Sequence, residues 1–501
     1  MSYQPHDSAA VFGRRFGWPK LVGGCAFGAV LALSLECAHA SAQPVTDPSS
    51  ATPTATDPLT PPKRRGARSR KASDARHMLA LRGEANARAE FWTDAEFETN
   101  ALEIAGQIEE LVGHSFPEAV ALEVVDRSTF VDRMRSEQER IVPSNEVHLR
   151  AQVAKLLGML PGGYDLSELL DAIRSDARGG FYETATGSMI MLRGVAGPVA
   201  RVVMASEFAR AMTQQLFDAS DSKEAPTNAD RRLARKAVLT GNSLSVFGRW
   251  MERHLPPLAP LDYLLFDLQI GNAAYDDAPP YIWRPAEGLW RRGESFLRRT
   301  NVVEPRPSAM READIARVLS NPPRSTEQLL HPVKYWKDAR RDEPRDLSWH
   351  VGVLSDGWSV ISRDTLGEMY LGIMTLAPED RTLRGEASML ELLSTRYTTD
   401  AADGWDGDRY LLLEKEQAQL VSLVTVWDSP AEAREFQDAV IDLEPLISES
   451  KTGMEGSDPA LAGFEVEYDG RDRVTINSWH GLSRVELESL LTELDCVEVE
   501  H

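Results

Sequence analysis

The chain has 501 residues, of which 42% are hydrophobic and 26% charged, and its formal net charge is −22. This length allows more than one domain. The charge is uneven, because residues 1–76 carry 10 basic and 5 acidic side chains whereas residues 77–501 carry 45 basic and 72 acidic ones. Nucleic acids and anionic lipids bind basic surfaces, so this acidic body excludes both as main partners.

The first 40 residues have the organisation of an export signal. Arg14, Arg15 and Lys20 form a basic segment, residues 21–35 are apolar, and Ala38-His39-Ala40 is a small-residue cleavage site. The apolar run is shorter than a membrane-spanning helix. We therefore predict an extracytoplasmic protein, located in the periplasm, at the cell surface or in the medium, with no transmembrane span beyond the signal.

Cysteine usage agrees with export. Cys25 and Cys37 lie inside the predicted signal, so Cys496 is the one cysteine of the mature chain. No intramolecular disulfide can then form, and the core has to stabilise the fold without one. A lipoprotein anchor at Cys25 is disfavoured, because almost no apolar segment precedes this cysteine.

The rest of the chain divides by composition. Residues 41–76 are rich in Pro, Thr, Ser and Ala and contain a basic cluster, which predicts a disordered linker. Residues 77–340 show helical periodicity and one short hairpin, whereas residues 341–501 alternate between short helices and strands. We predict an α+β protein with a mostly helical domain over residues 77–340, containing a short β-hairpin or sheet, and a smaller α+β domain over residues 341–501.

In chain order, the helical part is predicted to contain a helix at 97–113, a strand at 121–125, helices at 147–157 and 166–173, a hairpin of 181–182 with 189–192, and helices at 199–217 and 231–253. The second part is predicted to contain helices at 365–376 and 384–395, strands at 410–413 and 420–427, a helix at 430–443, strands at 464–468 and 474–476, and a helix at 484–494.

The helix predicted at 199–217 contains a degenerate zinc motif. In an H-E-x-x-H motif, two histidines on one helical face bind zinc and the glutamate activates the metal-bound water. Here the glutamate is present as Glu207, but Ser206 and Arg210 occupy the histidine positions. A serine hydroxyl is a poor zinc ligand at neutral pH, and the guanidinium of arginine stays protonated and repels the ion.

Five stretches in the same order resemble a family of bacterial extracytoplasmic zinc-metallopeptidase-like proteins, whose helix reads H-E-L-T-H-A-L-Q-D-Q-H-F. They are GFYETATGSMIML at 180–192, SEFARAMTQQLF at 206–217, ARKAVLTGNS at 234–243, PPRSTEQLLHPVKY at 322–335 and GWDGDRY at 404–410. The last two are the most specific, since they are long and unusual in composition. The resemblance implies a zincin-like fold and a zinc cofactor.

The residues that the resemblance assigns to zinc are substituted in this chain. The family pattern A-L-V-E-G-D-A supplies a third ligand and an acidic partner, but Thr240 and Asn242 stand at these two positions. Together with Ser206 and Arg210, these changes remove all three ligands, so we predict no metal cofactor. Glu207 remains as a vestigial general base.

Three local features leave alternatives open. The resemblance implies that His331 packs near the catalytic cleft, and the simpler alternative is a buried histidine with satisfied hydrogen bonds. The hairpin near Tyr182 either aligns an extended peptide by β-augmentation or only covers the central helix. The loop from Asp403 to Asp408 either binds calcium or forms a tight turn with Trp405 packed and Asp408 paired with Arg409.

Loss of zinc leaves Glu207 without a positive neighbour, which is costly for a partly buried carboxylate. Arg210 lies three residues further along the helix and can reach it. We therefore hypothesise that the Arg210 guanidinium occupies the place of the metal and pairs with Glu207. In the alternative, both side chains point into solvent.

The sequence thus predicts an exported, catalytically inactive metallopeptidase-like protein that keeps the peptidase scaffold for binding a peptide or protein outside the cytoplasm. Ser206, Arg210, Thr240, Asn242 and His331 would line the former catalytic cleft. The alternative is an extracytoplasmic hydrolase that uses Glu207 with other metal ligands.

Overall fold

The computed structural model describes residues 90–217, 228–255, 272–299, 312–355, 357–387, 389–454 and 458–499. The predicted signal peptide and linker lie outside these ranges. Among the described residues, no helix combines the length and the apolar character that crossing a membrane requires. The fold class is α+β, as predicted.

The described helices are α1 (Asp94–Val112), α2 (Arg127–Ile141), α3 (Ser144–Leu156), α4 (Leu166–Asp176), α5 (Gly197–Phe217), α6 (Ala229–His254), α7 (Ala273–Asp276), α8 (Pro280–Leu297), α9 (Glu312–Ser320), α10 (Thr326–Leu330), α11 (Val333–Trp336), α12 (Gly367–Met374), α13 (Met389–Ser394), α14 (Pro430–Asp442), α15 (Glu444–Lys451) and α16 (Arg484–Leu491). The described strands are β1 (Ala121–Val125), β2 (Gly180–Glu183), β3 (Ser188–Leu192), β4 (Leu347–Val351), β5 (Ser359–Asp364), β6 (Trp405–Lys415), β7 (Ala418–Trp427), β8 (Gly463–Tyr468), β9 (Arg473–His480) and β10 (Leu494–Glu498).

The strands form three sheets. The first has the order β1–β3–β2, with β1 parallel and β2 antiparallel to β3. The second is the antiparallel pair of β4 with β10. The third is a five-stranded antiparallel sheet with the order β5–β6–β7–β9–β8.

Both faces of the five-stranded sheet are covered. Along β6, Tyr410 and Leu412 belong to one hydrophobic core, whereas Leu411 and Leu413 belong to another. This alternation is what a strand produces, because successive side chains point to opposite faces. Helix α14 covers the first face through Phe436, and α16 lies on the second. The sheet is therefore an internal layer of the protein.

The core on the first face includes residues from both predicted domains. Leu156 and Leu170 belong to α3 and α4, and they share this core with Phe436 and Ile476 from the C-terminal part. The packing is thus continuous across residue 340, where the composition changes. The division into domains at this residue stays a prediction.

Helix α5 is the centre of a separate core. Val203, Met204, Phe208 and Met212 are buried there against α1, α6 and the three-stranded sheet. The helix begins at Gly197, where a side chain is excluded because a Cβ would lie 2.2 Å from the indole nitrogen of Trp92. This close packing fixes where α5 begins beneath the hairpin of β2 and β3.

Helices α6 and α8 approach each other closely at two glycines. A Cβ on Gly293 would lie 1.8 Å from the carbonyl oxygen of Ala237, and a Cβ on Gly241 would lie 2.4 Å from the carbonyl carbon of Gly293. Both contacts are with backbone atoms, which cannot rotate away as a side chain can. The two glycines therefore set the distance between these helices.

Candidate functional site

Glu207 and Arg210 form the ion pair that the sequence suggested. Arg210 Nε donates to Glu207 Oε2 at 3.0 Å, and the arginine side chain is 21% exposed whereas the glutamate side chain is 3% exposed. The same carboxylate oxygen accepts a 3.0 Å hydrogen bond from the backbone N–H of Tyr182 on β2. A second nitrogen of Arg210 donates to the carbonyl oxygen of Tyr182. The hypothesis of a solvent-facing pair is therefore wrong.

We expect Arg210→Ala to lower the free energy of unfolding by about 2 kcal/mol, because it leaves the Glu207 carboxylate buried without its cation. Arg253→Ala is the matched control. Arg253 pairs with Glu110 at 2.5 Å on the surface, where both side chains are more than half exposed, so its loss should change the free energy by less than about 0.5 kcal/mol. Urea unfolding of the three proteins measures both effects, and equal stability of the two variants would contradict the prediction.

The Glu207–Arg210 pair also occupies the free edge of the first sheet. β2 is an edge strand, and alternate residues of such a strand direct their N–H and C=O groups away from the sheet. At Tyr182 these groups are bound by Glu207 and Arg210. Two residues further on, the N–H of Thr184 donates to Glu137 at 2.9 Å. A peptide cannot add to this edge without displacing these side chains, which favours the hairpin as a cover for α5.

The other residues of the predicted zinc site lie on α5 and α6. Ser206 is buried on α5. On α6, Asn242 is buried and its Nδ2 donates to Thr213 Oγ1 at 3.1 Å. Thr213 is seven residues, or about two turns, beyond Ser206. Thr240 is partly exposed on α6, so its convergence with Ser206 and Arg210 stays a prediction.

His331 has different neighbours from Glu207. It follows α10, and its Nε2 lies 2.9 Å from Glu368 Oε1 on α12 and 3.5 Å from Asp403 Oδ1. The polar partners of Glu207 among the described residues are Tyr182 and Arg210. The structure thus brings Glu207 and Arg210 together, and it places His331 in a second polar cluster.

This second cluster, which we call the His331 cluster, contains His331, Glu368, Asp403 and Thr398. Thr398 Oγ1 donates to Glu368 Oε1 at 2.7 Å. The Glu368 side chain is fully buried, His331 is 23% exposed and Asp403 is 49% exposed. One end of the cluster is therefore inside the protein and the other is open to solvent.

The two most specific sequence motifs meet beside this cluster. Within STEQ, Thr326 donates to Asp230 through both its N–H at 3.0 Å and its hydroxyl at 2.6 Å. Within GWDGDRY, the Asp408 carboxylate accepts the N–H groups of Leu366 and Gly367, both at 2.8 Å. Asp230 and Asp408 are both almost fully buried. These acids position the start of α12, and with it Glu368.

The Asp403–Asp408 loop is a turn into β6, and Trp405 is buried there as predicted. Trp405 Nε1 donates to Asp408 at 3.0 Å. The expected local pair of Asp408 with Arg409 is wrong as a hydrogen bond, because backbone amides and Trp405 supply the donors and Arg409 acts on Asp408 through its charge.

A third group of acids surrounds the Lys334 ammonium. Lys334 Nζ lies 2.5 Å from Glu327, 2.8 Å from Asp342 and 2.7 Å from Asp428. An ammonium at hydrogen-bond distance from three carboxylates fills the centre of the group. This Lys334 group therefore links the motif at 322–335 to the end of β7 through the ammonium.

Burial and neighbouring charges change the proton affinities in this region. Burial raises the pKa of Asp230 to about 8, and the carboxylates of Asp408 and Glu368 act in the same direction. Burial also raises the pKa of Asp408 to about 6. Burial opposes the charged form of His331, but the hydrogen bond and charge of Glu368 and the charge of Asp403 outweigh it and raise the histidine pKa.

Sequence reasoning identified His331 and the Asp403 loop but missed Glu368 and Asp230. Glu368 stands in the apolar stretch LGEMYLGIM, residues 366–374. A lone carboxylate in such a stretch was the available signal, because a buried charge requires a specific partner. Asp230 follows Asn228, the N-cap of α6, and its sequence context is that of an ordinary helix start.

Comparison with known proteins finds a match in the C-terminal part of the chain. Residues 358–483 match the model of a domain of unknown function (DUF8575). No curated protein and no solved structure matches the chain. The matched segment, which is less than half of the chain, contains Glu368 and Asp403, whereas His331 and the Glu207–Arg210 pair lie outside it. Over these residues the chain is similar to a family whose description gives no activity.

Proposed function

We propose that the protein is an exported, non-hydrolytic relative of the zinc metallopeptidases that it resembles, and that it binds a peptide or protein outside the cytoplasm. The observation that carries this proposal is the engagement of Glu207. Its carboxylate is bound to the Arg210 guanidinium and to the Tyr182 amide. A general base has to reach the water that it activates, and both donors bind Oε2 and hold this 3% exposed carboxylate against β2 instead.

The substituted ligand positions support the same conclusion. Arg210 carries a permanent positive charge next to the carboxylate, which disfavours a cation at that place. Ser206 and Thr240 offer hydroxyl groups, which are weak zinc ligands at neutral pH. Among the described residues, close groups of three His, Asp or Glu side chains occur in the His331 cluster and around Lys334, and neither includes Glu207.

The edge of β2 bears on where a polypeptide partner binds. A zinc peptidase that uses β-augmentation needs free backbone groups on such an edge. Here Glu207, Arg210 and Glu137 already satisfy these groups at Tyr182 and Thr184. We therefore place the partner on another surface of the scaffold, so that binding does not require Glu207.

We expect the purified chain, residues 41–501, to leave a quenched fluorescent casein uncleaved with or without added zinc, and to bind peptides on a random-sequence peptide array. Glu207→Gln is the matched control, and it should bind the same peptides as the unchanged chain. Cleavage that a chelator abolishes and that Glu207→Gln lacks would establish the alternative, an extracytoplasmic hydrolase. Absence of peptide binding above that of the heat-denatured chain would contradict the binding function.

A further inference from the structure

We propose that His331, Glu368 and Asp403 bind one divalent cation that accepts mixed imidazole and carboxylate ligands, such as Zn²⁺ or Mn²⁺. The three side chains come from different parts of the chain: the end of α10, the start of α12 and the turn before β6. One ligand atom from each lies within 4.8 Å of the others. This site goes beyond the proposed function, because it does not involve Glu207.

The distances between the ligand atoms fit a coordination sphere. His331 Nε2 lies 2.9 Å from Glu368 Oε1 and 3.5 Å from Asp403 Oδ1. Neighbouring ligand atoms that are each about 2.0–2.1 Å from one metal ion lie about 2.8–3.4 Å apart in octahedral or tetrahedral geometry. The Glu368 and Asp403 oxygens lie within 4.8 Å of each other, so side-chain rotation is enough to bring all three atoms onto one ion.

Glu368 supplies the observation that points to a ligand. Its side chain is fully buried, and its Oε2 has no hydrogen-bond partner among the described residues. An unpaired carboxylate oxygen inside a protein is expensive, because it has lost its hydration and gained nothing in exchange. The other oxygen of the same carboxyl group is directed at His331 and is held by Thr398. A cation between His331 and Asp403 would bind Oε1 and place a positive charge beside this buried carboxylate, which offsets part of the cost.

The surrounding charge favours a cation. Asp230 and Glu327 are both buried and lie close enough to Glu368 for its charge to act on them. Lys334, the nearby ammonium, is engaged by the three carboxylates of its own group. The charge of Arg292 also reaches Glu368, and this guanidinium lies over the ring of Tyr397 at 5.4 Å. Within the His331 cluster itself, Glu368 and Asp403 supply two carboxylates against one imidazole.

The exposure of the cluster allows an ion to enter. Asp403 is about half exposed and His331 about a quarter exposed, so one side of the site opens to solvent. Three protein ligands with an open side leave room for water molecules to complete the coordination. Thr398 would act as an outer partner that orients the buried carboxylate.

The adjacent Lys334 group provides an internal comparison. It has three carboxylates of similar spacing, but the ammonium of Lys334 already occupies their centre. A neutralised acid in this group should therefore leave cation binding unchanged. Asp342 is the suitable position, because it is partly exposed and lies outside the proposed site.

The test is titration of the purified chain with Mn²⁺, and separately with Zn²⁺, by calorimetry and by thermal unfolding. We expect one ion per chain and a saturable rise in the melting temperature. Loss of an outer partner of a metal site costs about 10–100-fold in affinity, so Thr398→Val should weaken binding about 10-fold. Asp403→Asn and His331→Gln remove direct ligands and should each weaken it by at least about 100-fold.

Asp342→Asn should bind the ion as the unchanged chain does. The proposal fails if the unchanged chain binds neither ion, or if Asp403→Asn and His331→Gln bind as well as Asp342→Asn. Asp403 is half exposed, so its variant is expected to fold, which a far-ultraviolet circular dichroism spectrum checks. Peptide binding and casein cleavage are measured on the same variants. Loss of cation binding alone then bears on the proposed metal site, whereas loss of peptide binding or the appearance of cleavage bears on the proposed function.

Discussion

Gly293→Ala is expected to lower the free energy of unfolding by about 3 kcal/mol or more, the largest effect of any conservative substitution proposed for this protein. The added methyl would lie 1.8 Å from the carbonyl oxygen of Ala237, so α8 and α6 have to move apart. Separation of the helices would also loosen the core around Leu233, Val238 and Leu289. Chemical unfolding followed by circular dichroism measures the effect.

Gly106→Ala is the matched control for this substitution. Gly106 lies in α1, it is exposed, and nothing is found within 4 Å of the position that its Cβ would take. Alanine is a better helix former than glycine, so this variant should be more stable by about 1 kcal/mol. The same chemical change should thus have opposite signs at the two positions. A loss of stability at both, or at neither, would show that contact between α6 and α8 is not the cause.

The second large effect is the pH dependence of the free energy of unfolding that Asp230 causes. Its pKa is about 8 in the folded protein because it is buried, against an ordinary value of 3.8. Between these two values the folded chain holds a proton that the unfolded chain releases, so stability falls as the pH rises. Each pH unit within this interval can change the free energy of unfolding by up to about 1.4 kcal/mol. We therefore expect the protein to lose stability steadily from pH 5 to pH 8.

Asp230→Asn should reduce this dependence, because an amide does not ionise and still has groups that can pair with the N–H and hydroxyl of Thr326. The slope between pH 6.5 and pH 8 should fall but not vanish. The raised pKa of His331 adds a change of the same sign, since its stabilisation is lost as the pH rises through that pKa. Urea unfolding at several pH values measures the slope, and an unchanged slope in the variant would contradict the assignment to Asp230.

Below pH 6 the variant should keep part of the pH dependence of the unchanged chain. Asp406 and Asp408 both have a pKa raised by burial to about 6, and both remain in the variant. Their contribution is lost as the pH rises from about 4 to about 6. Asp230 acts over the whole interval from 3.8 to about 8, so the part of the slope that the variant retains below pH 6 is assigned to Asp406 and Asp408.

The buried carboxylates of Glu207 and Glu368 differ in how completely their hydrogen bonds are satisfied. At Glu207 the charges are matched, because Arg210 and the backbone of β2 supply the donors that the carboxylate needs. At Glu368 they are not, because one buried oxygen is left without a hydrogen bond. The Glu207 carboxylate, at the position that resembles a catalytic centre, is thus better paired than the Glu368 carboxylate. A cation bound beside His331 and Glu368 would therefore stabilise the fold.

The structure also explains why the STEQ…HPVKY stretch is so unusual in composition. Ser325 caps α10, Thr326 binds Asp230, and Glu327 pairs with Lys334. Gln328 donates to the carbonyl oxygen of Asp342, and His331 contacts Glu368. Thr326, Gln328 and His331 bind other segments of the chain, whereas Ser325 and Glu327 bind partners within the stretch itself.

The sequence by itself determined much of the local structure. The capping box of Thr93 with Glu96 and the left-handed Gly113 bound α1, and Ser429 before Pro430 begins α14. These signals are contained within a few neighbouring residues, so no knowledge of the fold is needed to interpret them. The pairing of Glu207 with Arg210 was equally predictable, because residues three apart on a helix are neighbours whatever surrounds them.

Only the tertiary structure decided which distant residues meet. The last helix was predicted to end at Leu494 and no strand was predicted after it, yet Leu494–Glu498 pairs with Leu347–Val351, almost 150 positions earlier. The partnership of His331 with Glu368, and the contact of Asp230 with Thr326, likewise join segments with no common pattern in sequence. The physical reason is that the periodicity of a chain reports which face of an element is buried, whereas the choice of partner depends on how all the elements pack together.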